Sequence, residues 1–530
     1  MIAALAGPGR PSAAVDLSST TKLAVAHEFL AYDNRITGAG RSSSFLTEGP
    51  HMADSINLLL DSKPGAIAWQ GALDGRFTDD FRVDPKRANL KRLYLKGETE
   101  KTTGVVGDYF ASLSEYTLGK SLKGAQYTGR FNGGNTQVTA LGGLDKPNWD
   151  DVWNHNHGET IDRQVYGMRV QRSFPDDGLL GLNVVEAKDE RSRYDETDLA
   201  IDQRVFAVDW ALPRYHKLSL SGESAYALSQ NDQPTLDENG GAISQHTTLQ
   251  GWAHKVRSRY SYGRFKTVDD FERVSPEFQT TTGAASPDLI KVRTQNTWTI
   301  TGPWKWIVLN YTFFHNGLAR QEGFNISTTR MPETGIRYEA PDWRPNFSLE
   351  AKLRQREVTS TTGGLRRRTR SVISSAADRF GLLSLQVDYE FQHEDKSDGT
   401  SSLRHHILGV GSNLFYEHAQ WKFTEGLRWD LQRDRDNLIP ATDQTTTVRA
   451  NLNAVSPYGL DGGIVYSHTL VMNAQNPSND KRTWLASLGW NYHGDDHRAE
   501  IRFKQNDNRF QTIDQAYKEM VWELALNNKF

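Results

Sequence analysis

The sequence predicts an all-β chain folded as one large antiparallel transmembrane β-barrel of about 26 strands, between roughly 22 and 30. Three observations carry this expectation. Apolar and polar residues alternate over runs of about ten residues, each run followed by a turn cluster. Runs such as 304–315 and 421–432 are 11–14 residues long, which suits a tilted crossing of the hydrocarbon layer, whereas strands in soluble proteins average about 5–6 residues. Aromatic residues gather toward the ends of these runs, as Trp304, Trp306, Trp429, Trp484, Trp490 and Trp522 do, in the manner of interfacial girdles.

In chain order, the alternation marks strands near 21–31, 53–60 (weakly), 65–74, 88–97, 103–112, 121–131, 135–143, 161–172, 178–187, 202–212 and 215–228. It continues near 245–256, 257–267, 289–301, 304–315, 322–330, 334–340, 345–357 and 366–376. Residues 381–391 show it most plainly. Leu383, Leu385, Val387, Tyr389 and Phe391 fall on one face, and Ser384, Gln386, Asp388 and Glu390 on the other, because a strand sends successive side chains to opposite sides. After a run near 403–417, residues 421–431 set Trp421, Phe423, Leu427, Trp429 and Leu431 against Lys422, Thr424, Gly426, Arg428 and Asp430, with Glu425 a lapse. Val448, Ala450, Leu452 and Ala454 oppose Arg449, Asn451 and Asn453. Trp484, Ala486, Leu488, Trp490 and Tyr492 share a face, although Leu485 spoils the polar side. Further runs lie near 463–473, 497–507 and 518–530. Asn132-Gly133-Gly134, Asp237-Glu238-Asn239-Gly240-Gly241 and Lys396-Ser397-Asp398-Gly399 are turn signals between them. Only 51–60 and 511–522 also admit a helical period.

Alternation alone does not separate a soluble sandwich from a membrane barrel; strand length and aromatic placement decide for the barrel, whose apolar face meets lipid. Leu385, Val387, Tyr389, Trp304, Trp306, Trp429, Trp484, Trp490, Trp522 and Phe530 are therefore expected on the lipid face or in its girdles. Gln386, Asp388, Glu390, Arg428 and Asp430 are expected in the lumen. Arg366, Arg368 and Arg370 share one strand face and form a candidate anion patch at the lumen or rim; a solvated or lipopolysaccharide-facing cluster is the alternative.

Composition excludes several classes. No run approaches 18 consecutive apolar residues, so α-helical spans are excluded. Lys plus Arg is 62 against Asp plus Glu 65, a balance unsuited to nucleic acid as a partner. The chain has no cysteine, which removes disulfides, thiolate metal sites and covalent c-type haem attachment to this chain. GxSxG, P-loop and HExxH signatures are absent, so no enzyme and no cofactor bound by this chain are expected. His155, His157 and Glu159 alternate and could face one way, but their Asn- and Gly-rich surroundings read as a polar loop. His405 and His406 would point to opposite faces. Residues 1–20 read as a flexible N-terminal segment or signal remnant, and 21–530 as a single barrel domain.

Toward the C-terminus, Met520, Trp522, Leu524, Leu526 and Phe530 share a face against Glu523, Ala525, Asn527 and Lys529, with Asn528 a lapse. This resembles the terminal strand of bacterial outer-membrane β-barrel proteins, which ends in Phe. The resemblance implies an integral outer-membrane location, contact with outer-membrane lipid and lipopolysaccharide, and recognition by the barrel-assembly machinery. Val106-Gly107-Asp108-Tyr109 followed by Tyr116-Thr117-Leu118-Gly119-Lys120-Ser121-Leu122-Lys123-Gly124 resembles the Gly-Asp-aromatic and Leu-x-Gly hairpins of large outer-membrane barrels, including ushers and secretion pores; its plain reading is two strands with glycines at a sharp bend. A barrel this wide needs filling, yet no inter-strand segment is long enough for a plug domain. Polar inner faces do not suit a self-filled apolar core. The architecture is thus similar to the barrel sheath of porin–cytochrome conduits, which implies a periplasmic multihaem cytochrome or another protein in the lumen. An open diffusion porin, for which a constriction loop folded inside would speak, and a polymer or protein export barrel are the alternatives.

Overall fold

Twenty-seven strands follow one another along the chain, with hardly any helix between them. The computed structural model describes residues 14–18, 21–146, 148–153, 163–189, 201–236, 242–317, 326–339, 348–360, 366–399, 402–437, 441–473, 479–492, 496–510 and 515–530. His155, His157 and Glu159 lie outside the described residues. The first strands are β1 (Ala14–Ser18), β2 (Thr21–Thr37), β3 (Gly49–Ser62), β4 (Ala68–Thr78), β5 (Ala88–Glu98), β6 (Thr102–Ser112) and β7 (Gly119–Phe131). Then come β8 (Thr136–Leu144), β9 (Arg163–Phe174), β10 (Gly178–Asp189), β11 (Ile201–Ala211), β12 (Leu218–Leu236), β13 (Ala242–Tyr262) and β14 (Phe265–Val274). They continue as β15 (Leu289–Thr301), β16 (Trp304–Asn316), β17 (Ser327–Glu339), β18 (Ser348–Ser360), β19 (Arg366–Phe380), β20 (Leu383–Lys396) and β21 (Ser402–His418). The last are β22 (Trp421–Asp436), β23 (Ala441–Val455), β24 (Leu460–Met472), β25 (Asn479–Asn491), β26 (His497–Phe510) and β27 (Tyr517–Lys529).

Each strand from β2 to β27 pairs antiparallel with its chain neighbours, and β2 pairs with β27 from Ala26↔Lys529 to Thr37↔Lys518. The result is a closed barrel of 26 strands. β1 lies along the first residues of β2. The strand ends define two rims. One carries short turns, among them the two-residue links 263–264, 302–303, 381–382 and 419–420. The last has Ala419 at φ 49° and Gln420 at φ 68°, the doubly left-handed pair that matches the twist of a tight hairpin. The other rim carries longer segments, among them 38–48, 79–87 and 275–288. In outer-membrane barrels the short turns are periplasmic and the longer loops extracellular.

One contact separates inside from outside. Tyr116, between β6 and β7, packs on Val205, Ala207, Ala225 and Ala253 of β11, β12 and β13. A hairpin tip can reach a wall several strands away only across the concave side. The face bearing those residues is therefore the lumen, and strand alternation carries the assignment around every ladder. Phe206 and Trp252, on the opposite face, are exposed. The same row-by-row reading puts Leu385, Val387, Tyr389, Trp304, Trp306, Trp429, Trp484, Leu488, Trp490 and Trp522 outside, and Gln386, Asp388, Glu390, Arg428 and Asp430 inside.

Several boundaries differ from those expected. The runs near 322–330 and 334–340 are one strand, β17, which passes through Pro332. β13 runs on to Tyr262, so the next strand begins at Phe265, later than the 257–267 expected. β22 continues to Asp436 through Gln432, Arg433, Asp434 and Arg435, a tail polar on both faces. Trp429 therefore stands in mid-strand, as do Trp484 and Trp522, instead of near a strand end. Residues 51–60 and 517–522 are strand, because their backbone groups are taken by neighbouring ladders.

The facing assignment has a direct test. Val387 is exposed between Leu385 and Tyr389 and sits beside Ala376 and Val410. Val387→Arg puts a charge in hydrocarbon at a penalty of about 2–4 kcal/mol and is expected to lower the folded, heat-modifiable fraction in detergent gels. Gln386→Arg, one residue away and facing water, is expected to leave it unchanged; equal tolerance at both positions refutes the facing.

Candidate functional site

The inner face of β17–β27 is a lattice of short-range charge pairs. Arg428 reaches Asp430 at 2.9 Å and Asp388 at 3.4 Å. The Gln386 amide donates to Asp388 at 2.9 Å, and the Gln392 amide donates to Glu390 at 2.6 Å. Arg354 pairs with Glu333 at 2.7 Å, and Arg498 bridges Asp461 and Glu500. His405 faces inward to Asp434 at 2.8 Å, while His406 faces outward against Phe391. The five lumen residues read from the sequence thus form one neighbourhood. Arg366, Arg368 and Arg370 are not part of it: they stand on the outer face at the longer-loop rim, where Glu357 pairs with Arg366 at 2.8 Å and Arg368 at 3.6 Å.

The other half of the lumen is different. β5 and β6 pair only from Tyr94↔Gly107 to Glu98↔Thr103, and β7 pairs with β8 only from Lys123 onward, yet β6 and β7 stay paired to Ser112↔Gly119. The distal half of this hairpin has left the wall. Two glycines form the crease. Gly107 has φ 105°, and a Cβ there would collide with the Leu93 carbonyl; at Gly124 it would collide with the Gly142 carbonyl. This is the glycine bend read in residues 106–124. One face of the folded hairpin carries Ala111, Leu113, Leu118 and Leu122 onto Leu141, Val165, Val185 and Ala187 of the wall. The other face holds Asp108, ion-paired to Lys123 and accepting a hydrogen bond from the Trp149 indole. Trp149 also donates its backbone N–H to the Leu90 carbonyl at 3.4 Å, on the edge of β5 that β6 has vacated.

Hydrogen bonds lock the hairpin tip down. The N–H groups of Glu115 and Tyr116 donate to the Glu223 carboxylate at 3.1 and 3.0 Å. The Tyr116 hydroxyl donates to Glu272 at 3.0 Å; burial and that carboxylate push the phenol well above its usual range, so it remains a donor. Segment 275–288 folds in over the tip. Gly119 N–H donates to Thr282 O at 2.9 Å, Ala284 N–H donates to Glu115 O at 2.8 Å, and Phe278 is fully buried on Tyr116. Segments 38–48 and 79–87 do the same against β2 and β27. Asp80 is fully buried and accepts from the Tyr32 hydroxyl, from both Thr47 groups and from Arg82 N–H. Burial alone would raise its carboxyl, but the hydrogen bonds from Thr47, Tyr32 and Arg82 together outweigh that and hold it at about 2. Arg82 donates to the Ser44 and Leu46 carbonyls, and Lys86 pairs with Asp151, which links the segments into one inward shelf.

The expectation of a polar inner face throughout is therefore corrected over β8–β13. There the inner face keeps charged residues such as Arg169, Asp209 and Glu223 but sets Leu141, Val165, Val185, Ala187, Val205, Ala207, Ala225 and Ala253 against the chain's own hairpin. The sequence carries a signal for this: 179–187 (LLGLNVVEA) and 205–208 (VFAV) are apolar on both faces, which suits burial on both sides.

A closed wall with exposed apolar side chains outside and charge pairs along β17–β27 inside defines a transmembrane β-barrel of the outer-membrane type. No protein-family profile and no curated protein match the sequence. Among solved structures, the translocation pore of the P pilus usher (PapC) aligns with a TM-score of 0.37 and 8% identity, covering 95% of this chain and 99% of that one. The siderophore receptor PirA from Pseudomonas aeruginosa aligns at 0.41 and 8%, covering 96% and 80%. A BenF-like porin from Pseudomonas fluorescens Pf-5 aligns at 0.32 and 9%, covering 68% and 98%.

Two outcomes test the shelf. Glu223→Ala strands the buried Tyr116 N–H, a loss of about 1–3 kcal/mol, together with the part-buried Glu115 N–H, and is expected to speed tryptic cleavage after Lys120 and Lys123 with the barrel still heat-modifiable. For Asp80, a folded value of about 2 below the ordinary 3.8 means its contribution is complete above about pH 4 and is lost as pH falls toward 2. Protection factors for hydrogen exchange in 38–48 should accordingly stay high at pH 5 and fall toward pH 2, and Asp80→Asn should lower them already at pH 7.

Proposed function

We propose that this barrel is a wide conduit whose lumen is occupied by a macromolecular partner, a protein for which the charged inner wall is the seat. The observation that carries this is the mismatch between wall and filling. Twenty-six strands at about 4.8 Å spacing and about 40° tilt give a circumference of about 160 Å and, for a circular section, a backbone diameter of about 50 Å. Barrels of 16–18 strands already leave an aqueous channel and 22-stranded ones carry a plug. Among the described residues the inward segments are short, the folded hairpin 107–124 and segment 275–288 being the longest described in full, and they line β2–β15 and the adjoining β27. The inner face of β17–β26 is left as an array of paired charges of both signs. Such an array gives weak ion preference but suits a folded partner, whose complementary charges fix its orientation. A periplasmic multihaem cytochrome is one occupant of that kind, the haem residing on the occupant and none on this chain. β27, with Trp522 and Leu524 outside, is the element this reading assigns to recognition by the assembly machinery. No catalytic role is proposed.

One feature favours a second reading: a diffusion porin narrowed by its own shelf. Planar-bilayer recordings separate the two. The protein purified in mild detergent is expected to carry a partner, visible by haem stain or mass spectrometry, and to conduct poorly. Stripping that partner with salt should open conductance severalfold above that of a 16- or 18-stranded porin. A barrel that purifies alone with a small, steady conductance sinks the conduit and leaves the porin.

A further inference from the structure

Around the longer-loop rim, several outward-facing arginines carry their own carboxylates. Arg35 pairs with Asp33 at 3.1 Å, Arg204 with Glu186 at 2.9 Å, Arg482 with Asp480 at 2.8 Å and Arg509 with Asp507 at 2.9 Å. The sector β19–β22 breaks this habit. Arg370, His393, Arg404 and Arg435 are direct cross-strand neighbours in one row on four adjacent strands. Arg433 stands beside His406 in the row below. Among the described residues Arg370, Arg404, Arg433 and Arg435 have no ion-pair partner, and all four are exposed. Arg404 and Arg435 face each other directly, an arrangement of like charges that destabilises a sheet unless an anion offsets it.

The height of these rows identifies the anion. Phe391 shares the row of His406 and Arg433, and immediately below on the same outer face come Tyr389, Leu408 and Leu431, the edge of the apolar belt. A ligand filling this place has acyl chains against the belt and a phosphate at the arginine row, where the planar guanidinium fork matches phosphate oxygens in a bidentate way. We propose that β19–β22 form an outer-face binding site for the phosphorylated headgroup of an acylated glycolipid of the outer leaflet, with Arg370, Arg404 and Arg435 as its phosphate ligands and Arg433 as a flanking cation. The site is independent of what fills the lumen.

The test uses the full barrel in detergent, with diphosphorylated lipid A as probe, its dephosphorylated form as comparison and native mass spectrometry as readout. The wild type is expected to favour the phosphorylated form by about tenfold or more, as three charge-assisted contacts allow. Arg370→Gln, Arg404→Gln and Arg435→Gln combined should abolish that preference, whereas Arg204→Gln with Arg482→Gln should keep it. Heat-modifiable migration checks folding, and Arg404→Gln alone, expected to weaken the preference, serves if the triple variant does not assemble. Equal binding of the two lipids, or a preference that survives the triple variant, overturns the proposal. Complete displacement by millimolar inorganic phosphate also overturns it, by showing a site for free anions.

Discussion

In hydrocarbon there is no water to take up an unpaired backbone N–H or C=O, and everything else in this molecule follows from that constraint. It requires the wall to close, which the β2–β27 ladder does. It also restricts where a strand can leave the wall. The distal halves of β6 and β7 leave it toward the lumen, still bonded to each other, and Trp149 takes up a carbonyl on the edge they abandon. Small register shifts interrupt other ladders, as between Asp74 and Gly75 on β4, beside Asn296 and Thr299 on β15 and between Ile307 and Asn310 on β16.

Much of the wall was legible from residues alone, because burial in lipid on one side and water on the other writes a period of two into each strand. Leu383 to Phe391 and Trp421 to Leu431 are such cases. Strand length was less legible. The tail of β22 is polar on both faces, so alternation stops where the hydrocarbon stops while hydrogen bonding continues to Asp436. Pro332 reads as a break, yet β17 tolerates it. The shelf was hardest to see. Gly107 and Gly124 announce a bend, but nothing local says that Tyr116 will meet Glu223 and Glu272 more than a hundred residues later. The Val and Ala residues on the inner faces of β10 and β11 are the mark it leaves.

The charges of the lumen do little for stability. A pair such as Arg428–Asp430 joins residues two apart on one strand and remains open to water, a setting in which an ion pair contributes about 0–1 kcal/mol. Their effect is to hold side chains in fixed places, so that the wall presents a defined pattern of potential. The buried pairs around the shelf differ: Lys123–Asp108 and Glu223 with its two amides are enclosed, and removing one member leaves the other stranded. Plasticity therefore belongs to the open wall and rigidity to the shelf.

The seam between β2 and β27 also governs the order of events during biogenesis. The Asn34 amide donates to Glu519 at 3.3 Å across 485 residues of sequence, and neither edge of the sheet has its partner until the final strand exists. Throughout synthesis and transit the growing sheet carries an unprotected edge of the kind that recruits other chains, and its most distant contact is the last to form. Such a chain cannot complete its fold as it emerges. Closure of the β2–β27 seam is therefore the step at which both edges of the sheet gain their partners together.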